Sequence, residues 1–213
     1  MKNVILKTIL GALIISAQAT TVNAGMLGTL TELTIVDGQI RNGSEINTSA
    51  SAVSINLNFQ NDDRGVFEFS LDSIPDYSRI TSADLELFVI QGGGQSGAIG
   101  AYRIFGYTGD GQITASDFHQ TKNLLLEFEH EVGVFDIKNF DVSSFIQAQV
   151  NSRSLSIGFL VTAISQDLLI GFESLESSTF NRPALLRIDF VVPLFANGFE
   201  SGDTDLWTSV VGE

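Results

Sequence analysis

Val53, Ile55, Leu57 and Phe59 alternate strictly with Ser54, Asn56, Asn58 and Gln60. A period of two is the repeat of an extended strand, because successive side chains point to opposite faces. The same alternation returns in Phe67, Phe69 and Leu71 against Glu68 and Ser70, and in Leu85, Leu87 and Val89 against Asp84 and Glu86. Each run therefore reads as a half-buried strand, with Asp72 to Asp76 as the loop between the last two. Further strands are predicted near Leu30 to Val36, Tyr102 to Tyr107, Leu124 to Glu129, Val132 to Ile137, Leu155 to Ala163, Leu168 to Glu173 and Ala184 to Val192. Short strands punctuated by Gly, Asn and Asp predict an all-β, antiparallel β-sandwich rather than parallel crossover units. One short helix near 141–150 interrupts them: Asp141 caps it, and Val142, Phe145, Ile146 and Val150 share one face. Gln91 to Gly100 carries Gly92, Gly93, Gly94, Gly97 and Gly100. No helix follows it, so it reads as a sheet connection rather than a phosphate cradle.

The two ends read differently from the middle. Met1 to Ala24 has Lys2 and Lys7, the apolar run Ile9 to Ile15, and Val22, Asn23 and Ala24 before Gly25, the order of a removable secretory signal. Residues 25–193 form the predicted domain. Residues 194–213, with Trp207, form a C-terminal tail. Removing the first 24 residues takes away two lysines and no acids, so the formal charge moves from −14 to −16. Such an acidic surface excludes nucleic acid and anionic lipid as partners and leaves neutral sugars, cations and basic surfaces of other extracellular proteins. The apolar stretch Leu155 to Phe172 is broken by Gln166 and Asp167, so it reads as two strands and a turn, and no membrane span is expected in the mature chain. With no cysteine, thiol catalysis and disulfides are excluded, and the sixteen phenylalanines must supply much of the core.

Chemistry-bearing residues are few. Asp110 to Asp117 matches the second half of a calcium loop, with Gly111 at the turn and Ile113 at the apolar position, but Gly106 and Thr108 stand where opening ligands belong. Asp37, Asp62 and Asp63 form a second calcium candidate if their loops converge. Glu127, Glu129 and Glu131 line one solvent face of a strand, and Glu173 and Glu176 flank a loop, so neither set has the desolvated pair that glycoside hydrolysis needs. His119 and His130 sit beside acids in polar segments, which suits exposed turns. Sugar binding needs exposed rings beside groups that bond hydroxyls, and the candidates are Tyr77, Tyr102, Tyr107 and Trp207. Tyr102 is out of phase with Phe105 and Tyr107, so one of those two tyrosines is expected to face outward.

Five segments follow one another in a recognisable order: Arg64 to Phe69, Ile80 to Leu87, Phe135 to Ile137 with Asp141 to Ser143, Phe172 to Ser174, and Arg182 to Ile188. Together they resemble the DNRLRE-type secreted jelly-roll domains, a group that includes carbohydrate-binding modules. The resemblance implies a jelly roll from about Leu30 to Val192. Arg64 and Arg182 would tie strand ends to carboxylates or carbonyls, and Pro183 would open the last strand. The tail Gly198 to Asp203 with Trp207 resembles a short C-terminal segment of secreted proteins of Gram-negative bacteria. Three readings stay open. The first is a secreted, non-catalytic module that binds polysaccharide or joins an extracellular assembly. The second is a polysaccharide lyase or hydrolase on a sandwich scaffold. The third is a purely structural surface or matrix protein, suggested because the chain lacks the aromatic-plus-acid segment that many members carry.

Overall fold

The computed structural model describes residues 25–193. The expected signal segment, the tail and Trp207 lie outside the described residues. In chain order the strands are β1 (Gly25–Leu33), β2 (Val36–Arg41), β3 (Glu45–Asn47), β4 (Ala52–Leu57), β5 (Asp62–Ser70), β6 (Arg79–Gly93) and β7 (Ile99–Thr108). They continue as β8 (Leu124–Glu131), β9 (Asp136–Asp141), then helix α1 (Ser143–Asn151), β10 (Ser156–Ala163), β11 (Leu169–Glu173) and β12 (Leu185–Pro193).

Every strand pair is antiparallel. The ladder runs β1-β12-β6-β11-β4-β5-β10-β7-β8, with β2 on β5, β3 on β2, and β9 on β6. β1 lies along the whole of β12, Gly25 opposite Pro193 and Leu33 opposite Leu185. Ile188 of β12 and Ile104 of β7 stand far apart in this order yet share one core with Phe67, Phe69, Leu87, Phe159 and Phe172. The sheet must therefore curl, so that inward-facing rows from its two ends meet. Helix α1 adds Phe145, Ile146 and Val150 to that core. Its residues fall on the face the sequence predicts, although it begins at Ser143: Asp141 ends β9 and accepts the Ser143 N–H and hydroxyl, and Val142 holds the N-cap position.

The alternation rule fails where the chain changes direction. Phe59 was expected to continue the buried row of β4, but it is wholly exposed. The Asn58 side-chain carbonyl accepts the N–H groups of Gln60 and Asn61, at 2.8 Å each, and turns the chain before residue 59 can face inward. The predicted strand Leu30 to Val36 is two strands. At the break the Thr34 N–H still donates to Ala184 O, whereas the next N–H, of Ile35, donates to Glu68 O, so the backbone leaves β12 for β5 between them. The predicted strand Val132 to Ile137 begins only at Asp136. A turn through Gly133, whose φ of 92° lies in the left-handed region, occupies the preceding residues. Of the glycine-rich connection, Gly92 and Gly93 belong to β6, and Ile99 and Gly100 to β7. His130, expected in an exposed turn, is buried within β8, where burial and Lys138 hold its pKa below the ordinary value.

Tyr102 and Tyr107 are both buried, so neither faces outward. Their opposite parity is real, but β7 is covered on both sides. Tyr102 and Ile104 enter the main core, while Phe105 and Tyr107 join Ile40, Val66, Phe118 and Leu160 in a second, smaller one. The long β7–β8 connection roofs this second core through Phe118 and Ile113. Arg64 pins the roof, stacking 3.8 Å above the Phe118 ring and donating to Phe118 O and the Asp62 carboxylate. Beneath it, Gly158 faces Tyr107 across the ladder, and any Cβ there would fall inside the tyrosine ring.

Candidate functional site

On the face of β6 turned away from the core, Glu86 and Phe88 alternate with the buried Leu85, Leu87 and Val89. Across the ladder β9 sets Asn139 opposite Glu86 and Ile137 opposite Phe88. Two loops add rings. Phe180, from the β11–β12 connection, meets Phe88 edge-on at 5.3 Å, and Phe135, from the turn before β9, lies 6.4 Å from Phe180. Phe135 is 63% exposed and Phe180 48% exposed. The Arg182 guanidinium sits 5.3 Å from the Phe88 ring. The result is an aromatic shelf of Phe88, Phe135 and Phe180 with Ile137, edged by an amide, a carboxylate and a guanidinium.

A buried anchor holds the shelf's outer loop. Glu173, at the end of β11, is 1% exposed. Its Oε1 accepts the Ser177 hydroxyl at 2.8 Å and the N–H groups of Phe180 and Asn181 at 2.8 and 3.0 Å, and its Oε2 accepts the Arg182 N–H at 2.9 Å. The loop's backbone is thus clamped at the two residues that carry a ring and a guanidinium to the shelf. None of these shelf residues stands among the sequence-based sugar-binding candidates, which were confined to tyrosine and tryptophan. A signal was present in Phe88, which breaks the polar alternation of its strand.

The proposed sugar-binding tyrosines do not meet. Tyr102 and Tyr107 are in separate cores, and Tyr77 is exposed elsewhere, its ring 5.2 Å from the Arg153 guanidinium and its hydroxyl accepting from the same arginine. Burial pushes the Tyr102 phenol up to about 12. The Tyr107 phenol is also raised, by burial first and then by Glu68, to which it donates at 2.8 Å. Glu68, fully buried, also accepts the Gly111 N–H, and burial raises its pKa against these two hydrogen bonds. Tyr107→Phe would leave that carboxylate short of a donor. We expect a loss of ~1–3 kcal/mol, larger at pH 8 than at pH 4 because only the ionised carboxylate needs the second donor, as thermal unfolding at the two pH values would read.

The proposed calcium ligands are dispersed and engaged. Asp62 pairs with Arg64 and Asp63 with Arg41, each at 2.7 Å. Asp110 accepts the Gln112 N–H, and Asp117 accepts the N–H and hydroxyl of Thr114, closing the turn on itself. Asp37 stands opposite Phe67 while Arg41 stands opposite Asp63, so Asp37 lies four residues along β5 from Asp63. Among the described residues no three His, Asp or Glu side chains are placed to hold one metal ion.

Beside a cleft of about 230 Å³ lined by Gln39, Arg41 and Asn47, two larger ones are open. One, of about 440 Å³, lies between the start of β8 and α1 and is lined by Leu125, Val142, Phe145 and Gln149. The other, of about 420 Å³, crosses β5, β10 and β7 past Arg64, Thr162 and Arg103, with Arg103 paired to Glu127 at 2.7 Å. The two buried acids with raised pKa, Asp37 and Glu68, line neither cleft. Glu127, Glu129 and Glu131 are exposed, as their spacing predicts. No helix among the described residues is long and apolar enough to cross a membrane. No protein-family model matches this chain and no curated protein matches it.

Proposed function

We propose that this chain is an exported, non-catalytic module, a β-sandwich of the jelly-roll kind, that binds polysaccharide along the shelf of Phe88, Phe135 and Phe180. The observation that carries this reading is the exposure of Phe135 and Phe180 side by side, Phe180 on the clamped loop and Phe135 on the turn before β9. Large rings left in water at a fixed spacing suit the apolar faces of pyranose rings, and Asn139, Glu86 and Arg182 supply partners for hydroxyls. The acidity of the chain favours neutral polymers over polyanions.

Affinity electrophoresis against a panel of neutral and acidic polysaccharides tests it. Retention on at least one polymer is expected. Each ring contributes ~0.5–1.5 kcal/mol, so Phe135→Ala and Phe180→Ala should each weaken binding about 2- to 10-fold and the pair more than either. Tyr77→Ala, away from the shelf, should leave retention unchanged. Failure to be retained by any polymer, or retention that ignores both phenylalanines, would remove the reading. New reducing ends or unsaturated products from a bound polymer would show a lyase or hydrolase instead.

A further inference from the structure

We propose that the outer edge of β1 is a self-pairing surface, along which a second copy of this chain adds antiparallel with Thr29 on the two-fold axis. This goes beyond polysaccharide binding and does not rest on it. β1 extends nine residues, and its only ladder partner among the described residues is β12. Among the described residues the edge away from β12 therefore presents a row of backbone donors and acceptors, which is a template for another strand.

Sheet edges are ordinarily guarded by charge, proline or bulges. The opposite end of the ladder, β8, carries exposed Glu127, Glu129 and Glu131, and β9 carries Asp136, Lys138 and Asp141. β3 is only three residues long. β1, with the sequence Gly-Met-Leu-Gly-Thr-Leu-Thr-Glu-Leu, has one charge, no proline and an unbroken register with β12. Met26 is 64% exposed and Leu27 79% exposed on it.

The occupant is argued from the strand's own symmetry. Antiparallel pairing of all nine residues about the central Thr29 sets Gly28 opposite Leu30 of the second copy, Leu27 opposite Thr31, and Met26 opposite Glu32. The one acid thus meets a thioether rather than another acid, so the strand is complementary to itself although the chain as a whole carries −14. The inward row joins as well. Leu30 packs against the main core and the Phe190 ring lies over Gly28, so the second copy's Leu30 would land beside apolar surface that the first copy leaves at its rim. Pairing about any other residue leaves part of the strand unpaired.

The chain has no cysteine, so a single Thr29→Cys reports the register cleanly. Residues on the axis have Cβ atoms about 4.5–5.5 Å apart, close to disulfide reach, whereas two copies of Leu27→Cys would be roughly 13 Å apart. Mild oxidation should convert Thr29→Cys to a covalent dimer on a non-reducing gel and leave Leu27→Cys uncrosslinked. The wild-type chain should show a concentration-dependent dimer by sedimentation, and Thr29→Lys should weaken it at least tenfold by opposing two lysines. Thr29→Lys keeps a partner in Asp189, which now accepts the Thr29 hydroxyl, so its fold, checked by circular dichroism, should survive. A wild-type chain that stays monomeric at about 100 μM, or equal crosslinking at positions 27 and 29, would overturn the proposal.

Discussion

Glu173→Ala should lower the melting temperature by roughly 10 °C and, with it, abolish retention on the polymer. The expectation follows from what would be left behind. Three consecutive backbone N–H groups, of Phe180, Asn181 and Arg182, and the Ser177 hydroxyl would lose their acceptor at once. A buried donor without a partner costs about 1–3 kcal/mol, and water entering from the loop side recovers part of that, so ~3–5 kcal/mol is expected in all. For a domain of this size that is about 2–4 °C for each kcal/mol. Glu173→Gln keeps the shape but turns an amide donor toward donors, and should fall roughly midway. Differential scanning calorimetry reads both. A shift below about 2 °C would mean that water replaces the carboxylate in full and that the clamp does not set the position of Phe180.

The second large effect is a pH dependence centred on Asp37. Its side chain is buried on β2, with Oδ2 accepting the Leu175 N–H at 2.8 Å and Oδ1 lacking any hydrogen bond. Burial, with the nearby Glu176 adding to it against the Leu175 N–H, raises the pKa from 3.8 to about 7. A folded state that holds this proton more tightly than the unfolded chain loses stability as pH rises. The contribution is full below about pH 4 and gone above about pH 7, a span of at most ~4 kcal/mol. Glu68, also raised, has the same sign, while His130, lowered, has the opposite one, so the wild-type profile is a sum. Asp37→Asn removes this one titrating group. Urea unfolding should show the variant close to wild type near pH 3.5 and more stable than it at pH 8, by up to ~4 kcal/mol. Parallel profiles would show that Asp37 is solvated in the folded chain.

Much of the strand content was legible because period-two alternation states directly which face is buried. Val53 and Ile55, Phe67 and Phe69, and Leu85 and Leu87 are all in the core. The same rule misplaced Phe59, since alternation carries no notice that the Asn58 side chain reverses the chain one residue earlier. It also misread Tyr102 and Tyr107. Parity assigns side chains to faces, but only the tertiary path of the β7–β8 connection decides that both faces of β7 are roofed. The acids illustrate a further limit. Asp62, Asp63 and Asp117 look like free ligands in a list of residues and turn out to hold Arg64, Arg41 and Thr114. The shelf was half visible: Phe88 interrupts a polar row, whereas Phe135 and Phe180 reach it from loops far apart in sequence.

The placement of Gly25 opposite Pro193 has a mechanical side. Force applied to those two residues in opposite directions would not shear β1 along β12, which would load the hydrogen bonds of that ladder together. It would peel them apart from one end, a pair at a time, and the outermost strand would part first while the main core stayed closed. Under tension from both sides such a module yields early and gives up a short length of chain. Pulled by one of these residues alone, with the load borne on the shelf, it would transmit force through the interior of the sheet instead.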